Sequence, residues 1–242
     1  MNMNKGILII GNPGEGKNYC EGVEKDLKSY SNYFQSVRGG AWENDEIRIL
    51  FQPSIKEMNR EVEKLDSMEY SMVVFSGHGY SNLKNETVLE LSTRGDEYKD
   101  SQLIKNNRTV IIDCCRKLWV PESAGRRIFA LDMSESTAIN IREIARMKYE
   151  DSIRNSNGMP VVMYSCSLNE YAQDDSELGG DYSYQLLRAA QTWRKDSDYY
   201  DVLDVVQAHD RAKTQLEYMR SSQHPRIKKS REGSYYPFAI DL

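Results

Sequence analysis

The sequence predicts an α/β protein: a three-layer α/β/α sandwich around a mostly parallel central sheet of about six strands. Two observations carry this. Short apolar runs recur along the chain, each bounded by turn residues, and amphipathic helical stripes separate most of them. Two of the runs, Tyr70 to Phe75 and Thr109 to Ile112, also lead straight into polar clusters, Ser76-Gly-His-Gly79 and Asp113-Cys-Cys-Arg116. Buried strands that end in reactive side chains are how such a sheet offers functional groups at its carboxyl edge.

The elements follow in order. Lys5 to Gly11 reads as a first buried strand, and a Gly/Pro loop runs from Asn12 to Lys17. Val23, Leu27, Tyr30, Phe34 and Val37 recur at helical steps, which predicts a helix over about residues 20–37, stopped by Gly39-Gly40. Glu46 to Gln52 is a second strand. Ser54 and Glu57 form a capping box for a helix whose buried stripe is Ile55, Met58, Val62 and Leu65. The third strand ends at His78. The turn at Asn82 to Asn85, followed by Thr87 to Leu91, predicts a small hairpin rather than a crossover helix. The fourth strand ends at Cys115. Residues 116–159 form a long excursion, irregular at first and then helical through Ile141, Ile144, Ala145 and Tyr149. A fifth strand, Pro160 to Ser165, leads into Cys166 and an acidic segment. Helices follow near 182–195 and 199–220, and Tyr235 to Ile240 has β character. Residues 1–242 read as one domain, with the excursion as a large insertion.

Composition narrows the function. A net charge of -5 argues against a general nucleic-acid binder. No apolar run reaches membrane-spanning length and the N-terminus lacks a signal-peptide pattern, so a cytoplasmic location without membrane association is expected. Four cysteines, two of them adjacent, do not form a disulfide framework, and none has zinc-finger spacing. No cofactor is expected. Asp174, Asp175, Glu177 and Asp181 offer a calcium-binding alternative, without the EF-hand spacing.

If the strands ending at His78 and Cys115 are parallel neighbours, an imidazole and a thiol emerge side by side. A thiol attacks as its thiolate, and a nearby imidazole takes its proton and later protonates the leaving amine. The bland alternative is a turn histidine and two small buried cysteines. A competing motif is Gly11 to Lys17, which fits the phosphate-cradling G-x-x-x-x-G-K after a strand, although Asn18 stands where a Ser or Thr hydroxyl belongs. His209 shares a helical face with Val202, Val205, Val206 and Leu216 and reads as a core histidine. His224, before Pro225, reads as structural, and Lys228 to Arg231 as a solvated basic loop.

The two strand-end clusters resemble the signatures of caspase-like cysteine peptidases, the clan of caspases and metacaspases. Asp113-Cys114-Cys115 is similar to the metacaspase form, and Arg116 after the cysteine resembles caspases. Gly22-Val-Glu-Lys-Asp26, the segment from Cys166 to Asp174, Gly179-Gly180, Gln223-His-Pro225 and Pro237-Phe238 resemble further family segments in the same order. The resemblance implies the caspase-like fold and a cysteine endopeptidase acting on protein substrates. Cys115 would be the nucleophile and His78 its general acid/base, with the amides of Gly79 and Cys115 as oxyanion hole. Asp26, Ser76 and Asp113 would line the primary specificity pocket and favour Arg or Lys before the cut. The chain departs from metacaspases at Arg116-Lys-Leu118, where they carry His-Ser-Gly, and at Leu168, where they carry an acidic residue. Arg126-Arg127 would be a self-processing site. The resemblance to prokaryotic caspase-like proteins implies a regulated protease, a stress or defence effector answering to an activating ligand or partner. Oligomeric state and physiological substrate are not written in the chain. A nucleotide binder and a catalytically silent caspase-like scaffold are the competing classes.

Overall fold

The computed structural model describes residues 3–118, 139–194 and 201–242. In chain order the elements are β1 (Lys5–Asn12), α1 (Gly22–Gln35), β2 (Ile47–Phe51), α2 (Ile55–Asp66), β3 (Tyr70–Gly77), β4 (Gly79–Ser81), β5 (Thr87–Glu90), β6 (Glu97–Lys99), β7 (Arg108–Cys114) and α3 (Ile139–Arg154). Then come β8 (Val161–Tyr164), β9 (Asp174–Asp175), β10 (Gly179–Gly180), α4 (Asp181–Thr192), β11 (Val202–Asp204), α5 (Val205–Tyr218), β12 (Arg226–Lys228) and β13 (Pro237–Ile240).

Six strands form the central sheet in the order β12-β8-β7-β3-β1-β2. All neighbours run parallel except β12, which joins β8 antiparallel. The four inner strands, β8, β7, β3 and β1, are buried on both faces, and their side chains divide by parity. Ile7, Ile9, Met72, Val74, Ile111 and Met163 point into a core covered by α1, α3, α4 and α5. Leu8, Ile10, Val73, Phe75, Val110 and Ile112 point into a second core, covered by α2 and by Leu89 and Leu91 at the end of the small sheet. Both layers are therefore real, and the predicted sandwich is present.

Local signals worked where they were chemically specific. Ser54 Oγ accepts from the Glu57 amide, and the Glu57 carboxylate accepts from Ser54 N at 2.9 Å, closing the capping box that opens α2. The hairpin after His78 is present, extended by β6 into a three-stranded antiparallel sheet. Three expectations need correction. The helix read over 199–220 begins only at Val205, because Val202–Asp204 form the strand β11. The β character near the C-terminus does not enter the central sheet: β13 pairs antiparallel with β11 in a separate two-stranded sheet. The sixth central strand is β12, which contains Lys228 and so takes in the start of the run read as a solvated basic loop. An edge strand tolerates such charges because its outer side faces water. Arg126 and Arg127 lie outside the described residues. Among the described residues, no helix is long and apolar enough to cross a membrane.

Candidate active site

Register places the two strand ends together. Ser76 pairs with Asp113 and Gly77 with Cys114 across β3 and β7. His78 and Cys115 thus leave adjacent strands at one level, and both line a cavity of about 70 Å³ with Asp26, Ser76, Asp113 and Cys20. Strand alternation separates the two cysteines. Cys114 faces the second core, 1 % exposed, while Cys115 is half-buried in the cavity wall with Sγ 3.8 Å from the Ala172 carbonyl. Burial pushes the Cys115 thiol above its ordinary value, only partly offset by the Ala172 contact, so the resting group is a thiol that needs a base.

The turn that presents the histidine is glycine-dependent. Gly77 has φ 148°, and a Cβ there would collide with the Asn12 carbonyl. A Cβ on Gly79 would lie 2.6 Å from Cys114 Sγ. The Glu90 amide donates to the His78 carbonyl at 3.1 Å, so Gly79, one step along the β4–β5 ladder, falls at a position where its N–H points away from β5. Only a bare amide fits above the buried thiol.

The Gly/Pro loop after β1 is spent on His78. Its Nε2 lies 3.1 Å from the Pro13 carbonyl, contacts the Asn18 carbonyl, and is 3.5 Å from Cys20 Sγ. Carbonyl oxygens only accept, so Nε2 carries a proton and Nδ1 is the ring nitrogen left free of these contacts. The loop does not have the nucleotide-cradle form suggested by Gly11 to Lys17. Helix α1 begins only at Gly22, Lys17 is exposed, and carbonyls rather than amides point at the group the loop surrounds.

Beneath the dyad-like pair lie Asp26 and Asp113, 2 % and 5 % exposed. Asp26 accepts from Ser76 Oγ at 2.6 Å and from the Gly180 amide at 3.0 Å. Asp113 accepts from the Ser183 hydroxyl at 2.7 Å and its amide at 3.1 Å. A Cβ on Gly180 would strike Asp113 and lie 3.1 Å from Asp26, so both carboxylates converge on that glycine. Neither has an ion-pair partner among the described residues. Burial, foremost, lifts both above the usual carboxylate range; the charge of Asp113 adds to the rise at Asp26, and that of Asp174 to the rise at Asp113. Gly22 explains the one-turn spacing to Asp26. A Cβ there would meet Gly179 at 2.9 Å, so α1 can approach β10 only through a glycine.

The remaining candidates are structural. Arg116 is buried, donating from Nε to Thr87 Oγ1 at 3.0 Å and from Nη1 to the Cys166 carbonyl at 2.9 Å, with its guanidinium 4.0 Å over the Tyr164 ring. It anchors the chain immediately after Cys115. Glu170 accepts from the amides of Ser167 and His224 at 3.0 and 2.9 Å and faces His224 Nδ1 at 2.9 Å. His209 is a core histidine, 2.7 Å from the Tyr182 hydroxyl and lowered by burial to about 4. Among the described residues, no group of three or more His, Cys, Asp or Glu side chains could hold a metal ion. Asp175 instead caps its own turn through the amides of Glu177 and Leu178. Sequence reasoning missed Pro13, Asn18, Cys20 and Ser183 as site residues, and it quoted Gly180 without its contact to the carboxylates. Of these, the double glycine preceding a helix was the one legible sign of close approach.

A thiol and an imidazole thus stand at the carboxyl edge of one α/β/α sheet, over a buried acidic pocket. Among known families, the caspase domain model matches residues 5–236, and the chain belongs to that family of cysteine proteases. No curated protein matched the sequence.

Proposed function

We propose that this caspase-family protease cleaves peptide bonds after Arg or Lys through His78 and Cys115. The observation that carries the basic preference is the pair of buried carboxylates, Asp26 and Asp113, converging on Gly180 without a cation among the described residues. A guanidinium or ammonium would supply the missing charge to two groups that burial now holds toward their neutral forms. Nδ1 of His78 takes the Cys115 proton, and the thiolate attacks the scissile carbonyl. The amides of Gly79 and Cys115 receive the developing oxyanion. The imidazolium then protonates the leaving amine, and water hydrolyses the thioester.

At about 70 Å³ the pocket holds a few water molecules rather than an arginine side chain. Binding therefore parts its rim, with Cys20 on one side and Ala172 to Asp174 on the other. A site that opens on binding suits a regulated protease, such as a cytoplasmic stress or defence effector of the metacaspase type. Processing at Arg126-Arg127 is consistent with the same preference.

Fluorogenic peptides with Arg, Lys or Asp before the bond test the reading. Cleavage of the arginyl and lysyl peptides, lost in His78→Ala and in Cys115→Ala, is expected. Cleavage of the aspartyl peptide alone, or turnover that survives His78→Ala, overturns it.

A further inference from the structure

His78 is a wall shared by two cavities. Behind it, away from Asp26 and Asp113, lies a second one of about 290 Å³, near the lower end of ligand-sized pockets (about 300–1,000 Å³) and lined in part by Asn12, Gly14, Glu90 and Ser92. In the dyad chemistry the general acid gives its proton to the leaving amine, so the leaving chain departs past the imidazole. The residue that follows the cleaved bond therefore meets this second cavity.

Glu90 is fixed there by two main-chain hydrogen bonds. Its amide donates to the His78 carbonyl at 3.1 Å, and its carbonyl accepts from Asn12 Nδ2 at 2.7 Å. Its carboxylate is half-buried and, among the described residues, has neither a hydrogen bond nor an ion pair. Of the other acids lining the cavity, Glu15 is exposed to solvent and two are already engaged. Asp96 accepts from Ser92 Oγ at 2.7 Å and from Ile55 N at 3.1 Å, with Arg94 beside it, and Glu97 accepts from the Tyr80 hydroxyl at 3.0 Å. Burial raises Glu90 above the usual carboxylate range, as expected of a carboxylate without a cation among the described residues.

We propose that Glu90 is a specificity-determining residue for the position after the cut, favouring Lys or Arg there over Asp or Glu. This rests on His78 and Cys115 being the catalytic pair, but not on what precedes the bond.

The test is a peptide library randomised on both sides of the bond, with products mapped by mass spectrometry for wild type, Glu90→Gln and Glu90→Arg. Wild type should prefer Lys or Arg over Glu after the cut by about three- to tenfold, the size of one partly exposed ion pair. Glu90→Gln should flatten that column, and Glu90→Arg should tilt it toward acidic residues, while the column before the cut keeps its shape. Should Glu90→Arg lose its melting transition, Glu90→Gln decides. A flat wild-type column, or a preference unmoved in Glu90→Gln, overturns the assignment to Glu90. An absence of Arg and Lys before the cut overturns only the reading of Asp26 and Asp113. A library left wholly uncut removes both.

Discussion

Gly77 lies opposite Cys114 in neighbouring parallel strands, and this single pairing makes His78 and Cys115 the next residues out of the sheet. Slipping the register by one residue would put Asp113 opposite Gly77 and turn the thiol to the other face. The site is as secure as the β3–β7 ladder, which joins two strands buried along almost their whole length.

The adjacent cysteines should therefore behave differently. Cys115→Ala should lower turnover of an arginyl peptide by about 10⁴-fold or more with an unchanged melting temperature. Cys114→Ala removes a sulfur from the core under Gly79. It should cost about 1 kcal/mol, or about 2–4 °C in Tm, with turnover retained. Thermal melts and steady-state kinetics of the two variants check this; an inactive, fully stable Cys114→Ala would reverse the assignment.

The loop after β1 should act on rate rather than affinity. Gly14 has φ +76°, and a Cβ there would lie 2.5 Å from His78 Nε2. Gly14→Ala should swing the ring and reduce kcat by about 10²-fold, with KM little changed. Alkylation of Cys115 by iodoacetamide should slow as well. Lys17→Ala, at an exposed position of the same loop, should leave both within about twofold.

On the proposed basic preference, Asp26 trades stability for specificity. Its folded-state pKa is raised, so its contribution to folding is fully present below the ordinary value of 3.8 and is lost as pH rises through the raised value. Asp26→Asn should therefore melt about 2–4 °C higher than wild type near pH 8 and lose that advantage toward pH 4. The same variant should raise KM for arginyl peptides. A variant less stable at pH 8 would mean that the Ser76 and Gly180 hydrogen bonds outweigh the buried charge.

His209 titrates in the opposite sense. A histidine lowered from 6.5 to about 4 stays neutral in the fold while the unfolded chain takes up a proton. Stability should therefore fall as pH drops from about 6.5 toward 4, by up to about 3 kcal/mol. His209→Gln, which cannot titrate, should flatten that slope in denaturant midpoints measured across the range.

Much of this site could be read from the chain. Period-two alternation in Thr109 to Cys115 already places Asp113 and Cys115 on one face and Cys114 on the other. The glycines around His78 mark a turn that allows close approach. The helix stripes and the Ser54–Glu57 box locate α1 and α2 within a residue or two. Pairing partners were harder. Nothing in Arg226 to Lys228 distinguishes an edge strand from a solvated loop, because the outer side of an edge is open to water and selects no apolar pattern. The strong β signal at Pro237 to Ile240 reports burial, and burial does not say which strand lies alongside.

The amino-acid order by itself determined the layers, the strand ends and the two groups whose chemistry needs each other, because these follow from side-chain periodicity over a few residues. The tertiary structure alone decided which atoms those groups face. Pro13 and Asn18 hold Nε2 through main-chain oxygens, Gly180 joins two carboxylates from different elements, and Glu90 stands behind the imidazole through a hairpin. Such contacts are made by backbone groups every residue carries, between segments up to 154 positions apart, so no local pattern encodes them.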